Sequence, residues 1–228
     1  MQKEIEKNIE LLKSRVSEAC SSVELESNNI SVIAVSKRKS TDHIKAAFNA
    51  GITNFGENYA QELQQKCEEL NMNDIVWHFI GPIQSNKVKL ISRHANWVHS
   101  IDRLSIAEKI NKECALLNKT INACIQVNIS EEETKSGIAS SELLDFASHI
   151  DSLDYINLKG IMVLPKISGN ATKEMVKSKL IHNELISFYP KASYLSMGTT
   201  SDFEAAIKLG SNMIRVGELI FGERDWRK

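Results

Sequence analysis

The sequence predicts an α/β fold, a single (β/α)8 TIM barrel with one extra helix at its N-terminus. Three observations carry this. Short runs rich in β-branched and aromatic residues recur eight times, each followed by a stretch with helical apolar spacing. Strands that alternate with helices pair in parallel, and eight such units in 228 residues close into a barrel. No composition shift or linker interrupts the chain, so residues 1–228 read as one domain. The alternative, a doubly wound open sheet, calls for a Gly-rich phosphate turn after the first strand, and Ser36-Lys37-Arg38-Lys39 contains no glycine.

Ile5, Ile9, Leu12, Val16 and Ala19 recur at four- and three-residue steps, which predicts an amphipathic helix before the first strand. The run Ile30 to Val35, ending in Ser36-Lys37, reads as a strand buried on both faces. Ser40-Thr41-Asp42 caps a helix with Ile44, Ala47 and Phe48 on one face, and Gly51 ends it. Ile52 to Phe55 reads as strand two, Gly56-Glu57-Asn58 as a turn, and Leu63, Cys67 and Leu70 as the apolar face of the next helix. Strand three spans Ile75 to Ile80 and closes at Gly81-Pro82; a helix from about Gln84 to Arg93 precedes strand four, Trp97 to Ile101.

Asp102 can cap a helix bearing Leu104, Ala107, Ile110 and Leu117. Strand five spans Asn122 to Ile129 and is followed by an acidic loop, Ser130 to Gly137. A helix with Leu144, Ala147 and Ile150 leads to strand six, Leu158 to Leu164, and Lys166 to Ala171 reads as a mobile loop. Val176, Leu180, Ile181, Leu185 and Phe188 mark a longer helix ended by Pro190, before strand seven, Tyr194 to Met197. Ser201-Asp202-Phe203-Glu204 fits a capping box ahead of Phe203, Ala206, Ile207 and Leu209. Strand eight spans Asn212 to Val216; Gly217 to Phe221 reads as a helical turn and Arg224 to Lys228 as a polar tail.

Composition excludes several classes of function. A net charge of -1 leaves no basic footprint for nucleic acid. The four cysteines, Cys20, Cys67, Cys114 and Cys124, form no C-x-x-C pair, which argues against a disulfide framework or structural zinc and fits a reducing cytoplasm. No apolar run is long enough for a bilayer, and the polar, acidic start is unlike a signal or transit peptide.

In a barrel of this kind functional residues gather at the carboxyl ends of the strands. Lys37 stands at the end of strand one. An amine there, partly desolvated and beside Arg38 and Lys39, becomes usable as a nucleophile toward an aldehyde; the plain alternative is a lysine that opens a solvated loop. Asn58, Met162, Ser196 and Arg215 stand at or near the ends of strands two, six, seven and eight. Met197-Gly198-Thr199-Thr200-Ser201 offers hydroxyls and free backbone N–H groups before a helix, which suits an anion or serves only as a cap. Arg215-Val216-Gly217 adds a cation and a glycine that permits close approach. A phosphorylated aldehyde would satisfy the amine and the anion site together. His78 and His99 read as hydrogen-bonded core histidines rather than metal ligands.

Several motifs then become specific. Ala34-Val35-Ser36-Lys37, Asn54-Phe55-Gly56-Glu57-Asn58-Tyr59, the run Trp77-His78-Phe79-Ile80-Gly81-Pro82-Ile83-Gln84-Ser85-Asn86-Lys87, Ser136-Gly137, Leu195-Ser196-Met197-Gly198 and Arg215-Val216-Gly217 closely resemble the pyridoxal phosphate homeostasis protein family, in order and over nearly the whole chain. The resemblance implies a fold similar to the barrel domain of alanine racemase, the type III fold of pyridoxal 5'-phosphate (PLP) proteins. It implies PLP held as a Schiff base on the amine matching Lys37, and a role in storing, buffering or delivering PLP without defined turnover. By the same resemblance Thr200 and the N–H groups around Gly217 and Glu218 hold the phosphate, and Arg215 lies against the pyridine nitrogen. The family usually carries Ser where Thr200 stands and a small residue where Glu218 stands, so a side-chain contact from Glu218 is not expected. The implied partners are PLP and PLP-dependent apo-enzymes or PLP-making enzymes, with no nucleic acid or membrane, for a monomer in the cytoplasm. An amino-acid racemase and a Schiff-base aldolase are the enzyme alternatives.

Overall fold

A computed structural model of the chain describes residues 1–132, 135–166 and 171–222. Eight parallel strands close in chain order: β1 (Ser31–Val35), β2 (Asn54–Glu57), β3 (Val76–Phe79), β4 (Trp97–Ile101), β5 (Ile121–Val127), β6 (Ile156–Val163), β7 (Tyr194–Ser196) and β8 (Met213–Val216). Between and around them lie α1 (Gln2–Ser21), α2 (Thr41–Asn49), α3 (Ala60–Leu70), α4 (Val88–His94), α5 (Leu104–Leu116), α6 (Leu143–Asp151), α7 (Ala171–Phe188), α8 (Phe203–Lys208) and the single turn α9 (Glu218–Phe221). The expected barrel with its N-terminal helix is the observed fold. β1 pairs with β8 from Ser31↔Met213 to Ala34↔Val216, so no open edge remains and the open-sheet alternative fails.

The predicted face of α1 is the buried one: Ile5, Ile9, Leu12, Val16 and Ala19 all pack inward, against α2, α8 and α9. Each such aliphatic side chain contributes about 1.5–3 kcal/mol by leaving water. Arg15 adds a two-pronged contact to Glu204 on α8, at 2.8 and 3.0 Å. The barrel interior holds a second apolar cluster, Ile33, Trp97, Cys124, Met162 and Met213, which fills the space below the mouth.

The structure departs from the sequence reading at several places. β2 begins at Asn54 and runs on through Gly56-Glu57, residues expected to turn. A side chain at Gly56 would meet Ile33 Cγ2 at 2.9 Å, so the glycine lets β2 lie close to β1. The α7 face is rotated: Met175, Ser178, Ile181, His182 and Leu185 are buried, whereas Val176, Leu180 and Phe188 face solvent. Polar residues can lie on the inner face because they are satisfied there, Ser178 Oγ donating to Glu174 O and His182 Nε2 lying 3.0 Å from Ala192 O. The capping box does not form. Asp202 instead accepts from the N–H and the hydroxyl of Thr199, at 2.6 and 2.8 Å, and Glu204 is engaged by Arg15. β6 starts two residues earlier than expected, with a bulge that skips Lys159 opposite Ala123 and Cys124. The expected loop over Lys166 to Ala171 and the tail from Arg224 fall largely or wholly outside the described residues.

Gly160 follows that bulge with φ +153°, and a Cβ there would lie 1.7 Å from Tyr194 O in β7. Gly160→Ala is therefore expected to destabilise the protein by more than about 3 kcal/mol, since backbone of two paired strands must separate. Urea unfolding of the variant measures this; a loss under about 1 kcal/mol would mean that the sheet yields at this point.

Candidate functional site

The carboxyl ends of the strands surround one cavity of about 710 Å³. Asn58, Met162 and Arg215 line its wall, with Gly81, Gln126 and Asn128. Gly81 is required for the local path, because a Cβ there would lie 2.1 Å from Asn58 O. The other expected residues, Lys37, Ser196, Thr200, Gly217 and Glu218, stand at or after the ends of β1, β7 and β8 and are not among the described residues that line it. Lys37 is half-buried in the turn after β1, Ser196 is the buried last residue of β7, and Gly217 and Glu218 open α9.

A buried polar network pins the backbone on both sides of Lys37. Ser36 Oγ donates to Glu57 Oε1 at 2.6 Å, and Lys66 Nζ from α3 donates to Ser36 O, Glu57 Oε1 and Glu62 Oε1, each at 2.7 Å. Glu62 also accepts the N–H of Arg38, whose φ is +60°. Lys37 thus sits between two anchored residues, the second in a conformation that an L-residue adopts only when held there. Glu57 is fully buried, and its Oε2 has no hydrogen-bond partner among the described residues. Burial pushes its carboxyl up to about 7, against the pull of Lys66.

A second buried chain reaches Arg215. Its Nη1 donates to Ser196 Oγ at 2.6 Å and its Nη2 to Val163 O at 3.0 Å. Ser196 Oγ lies 2.9 Å from His99 Nδ1, His99 Nε2 lies 2.9 Å from His78 Nδ1, and His78 Nε2 lies 2.9 Å from Asn54 Oδ1. His78 also stacks on Trp97, with ring centroids 5.6 Å apart. The histidines are hydrogen-bonded core residues, as the sequence suggested. Burial lowers His78 to about 3 and His99 well below the ordinary imidazole range, so both are neutral. Arg215 is also lowered, to about 10, and remains a cation at neutral pH.

The loops after β7 and β8 meet where an anion site was expected. Thr200 Oγ1 accepts the N–H of Gly217 at 3.2 Å, which leaves the hydroxyl proton to donate. The Thr199 N–H, expected to be free, is held by Asp202. The close approach that Gly217 permits is toward Val35: a Cβ would lie 3.2 Å from Val35 O.

The sequence reading marked Ser136-Gly137 as a motif but assigned no site role to Gln126, Asn128, Lys135 or Lys166. Gln126, Asn128, Lys135, Ser136 and Lys166 line the cavity on the β5 side. Gln126 and Asn128 share the inward face with Cys124 at two-residue spacing, and polar residues on that face at a strand's carboxyl end were the available signal. Asn128 Nδ2 donates to Glu132 O at 2.8 Å and shapes the following loop. Buried Oδ1 atoms of both Asn58 and Asn128 have no hydrogen-bond partner among the described residues.

The family model of the alanine racemase N-terminal domain matches residues 3–225. A pyridoxal phosphate homeostasis protein of Haemophilus influenzae is 39% identical over 229 residues, covering 97% of each chain. One of Escherichia coli is 37% identical over 231 residues, covering 99% of each. The chain belongs to the pyridoxal phosphate homeostasis protein family. The resemblance carried by the motifs is thus confirmed over the full length. PipY of Synechococcus elongatus, solved without and with PLP bound, matches with TM-scores of 0.82 and 0.80 at 30% and 29% identity, covering 91% of this chain and 100% of PipY. Alanine racemase from Corynebacterium glutamicum matches 99% of this chain with 62% of its own, at TM-score 0.73 and 14% identity, a likeness of fold alone. Among the described residues, no helix is long and apolar enough to cross a membrane.

The raised Glu57 value has a consequence for stability. A carboxyl that holds its proton more tightly folded than unfolded contributes stability fully below its ordinary value of 4.5, and that contribution is lost as pH rises through about 7. Glu57→Gln removes the titration. The stability of the native protein minus that of Glu57→Gln should therefore fall between pH 4.5 and about 7 in chemical denaturation. A difference that stays level or rises would show that Lys66 holds Glu57 ionised throughout.

Proposed function

We propose that this chain binds pyridoxal 5'-phosphate at the barrel mouth and serves in PLP homeostasis, by storage, buffering or delivery. The observation that carries the reading is full-length kinship with the homeostasis proteins together with PipY, whose structure holds PLP. The site fits such a group. It combines a pinned lysine turn, a buried cation on the wall, a hydroxyl beside a backbone N–H and buried acceptors without partners among the described residues.

In this reading the Lys37 amine holds the cofactor's aldehyde carbon as a Schiff base. Thr200 and the backbone N–H groups of Gly217 and Glu218 hold the phosphate, the Gly217 N–H exchanging Thr200 Oγ1 for it. Arg215 donates to the pyridine nitrogen, while Asn58, Met162 and Ser196 complete the pocket. Bound PLP supplies an electron sink for amino-acid chemistry, and a donor such as arginine at the ring nitrogen weakens that sink. The reading also holds that the chain is a single-domain, cytoplasmic monomer that hands PLP to apo-enzymes.

The relatives are named as homeostasis proteins, not as enzymes. Absence of turnover in this chain belongs to the proposal. Racemisation requires a base on each face of the cofactor. Tyr155, Tyr189 and Tyr194 lie before or at the start of β6 and β7, at the end of the barrel opposite the cavity. Tyr59, before α3, is 50% exposed.

The purified protein with PLP should show a visible absorption band, and borohydride should fix the cofactor to a peptide containing Lys37. Lys37→Ala should lose both; label recovered on another lysine with the variant still coloured would overturn the assignment. Thr200→Ala removes one hydrogen bond to a charged group and should weaken PLP binding about tenfold or more. Unchanged binding would place the phosphate elsewhere. Incubation with L- and D-alanine followed by chiral analysis should show no substantial turnover. A rate of about 1 per second or more would favour the racemase reading.

A further inference from the structure

The buried chain from Arg215 to Asn54 has a direction that its chemistry sets. A guanidinium has five N–H donors and no acceptor. Arg215 must therefore donate to Ser196 Oγ, at 2.6 Å. Ser196 is fully buried, and a buried hydroxyl proton without an acceptor costs more than an ordinary hydrogen bond gains. The nearby acceptor is His99 Nδ1 at 2.9 Å. If that nitrogen accepts, the proton of neutral His99 is on Nε2 and points at His78 Nδ1, also at 2.9 Å. The proton of His78 is then on its own Nε2 and reaches Asn54 Oδ1 at 2.9 Å. Each proton in this arrangement finds one acceptor.

The reverse arrangement leaves the Ser196 proton without a partner in the chain. A charged imidazole would either set two donors face to face between the rings or again leave the Ser196 proton without an acceptor in the chain, and it would add a second cation to the chain that holds Arg215. The low basicity that burial imposes on both rings agrees with two neutral histidines.

We infer that Ser196, His99 and His78 are positioning residues for Arg215: a one-way hydrogen-bond chain across β8, β7, β4, β3 and β2 fixes both imidazoles as Nε2–H tautomers and sets the guanidinium's orientation toward the cavity. Val163 O holds the second terminal nitrogen at 3.0 Å, so both ends of the guanidinium fork are anchored. Its other N–H groups, without a hydrogen bond to the described residues, are left for a ligand that carries an acceptor. For PLP, on the reading above, that acceptor is the pyridine nitrogen, and an arginine already oriented binds it without reorganising.

Two measurements test this. Nitrogen NMR of histidine-labelled, ligand-free protein should show His78 and His99 as neutral Nε2–H tautomers between about pH 5 and 8. An Nδ1–H tautomer or an imidazolium at His99 overturns the inference, whatever the protein binds. His99→Phe keeps the ring and breaks the chain. If it melts like the native protein, it should bind PLP about tenfold more weakly and shift the absorption maximum of the bound cofactor. His99→Gln, which can accept from Ser196 or donate to His78, should recover part of both effects. A folded His99→Phe with native affinity and native spectrum overturns the inference. A native protein that binds no PLP would instead refute the proposed function, and the NMR result would still decide the direction of the chain.

Discussion

The site depends on the pairing of β1 with β8. Four residue pairs, from Ser31↔Met213 to Ala34↔Val216, close the sheet on itself and bring the chain's first strand against its last. Parallel strands all end on one face, so closure gathers the turns after every strand around one opening. It places Ile33 level with Arg215 and sets the Lys37 turn near Gly217, whose Cα lies against Val35. Residues far apart in sequence become neighbours for this reason.

Within that frame two polar systems run through an apolar interior. One lies under the Lys37 turn, where Lys66, Glu57 and Glu62 hold the backbone of Ser36 and Arg38. A buried ion pair is a poor source of stability, because its desolvation offsets much of its attraction. Its role here is geometric, holding a half-buried lysine in a fixed turn. The other system runs from Arg215 to Asn54 and keeps a buried cation at a set angle with neutral partners. Apolar packing gives the barrel its stability, and these two networks give the mouth its shape.

Much of the architecture was legible in local pattern. The spacing of Ile5, Ile9, Leu12, Val16 and Ala19 named the buried face of α1 before any partner for it was known. Gly51 and Gly210, both at positive φ, end α2 and α8 as their places in the sequence suggested. Lys37 could be singled out because an apolar strand stops directly in front of it. The motifs at the strand ends carried the family.

Other features were hidden because their partners are distant in the chain. Glu57 reads as a turn residue until Lys66 and Ser36 are placed around it, and only then can its carboxylate occupy a strand. Ser196 and His99 stand 97 residues apart, and no local periodicity joins them. The face of α7 was misjudged because Ser178 and His182 look like surface residues until their buried hydrogen bonds are seen. The sequence by itself determined the barrel, its order of elements and some of the residues at its mouth, Asn58, Met162 and Arg215 among them, since short-range periodicity and chain length govern where the strands end. Tertiary structure alone decided which polar groups satisfy one another. A buried hydrogen bond needs two groups within about 3 Å, and only the closed barrel brings them that near.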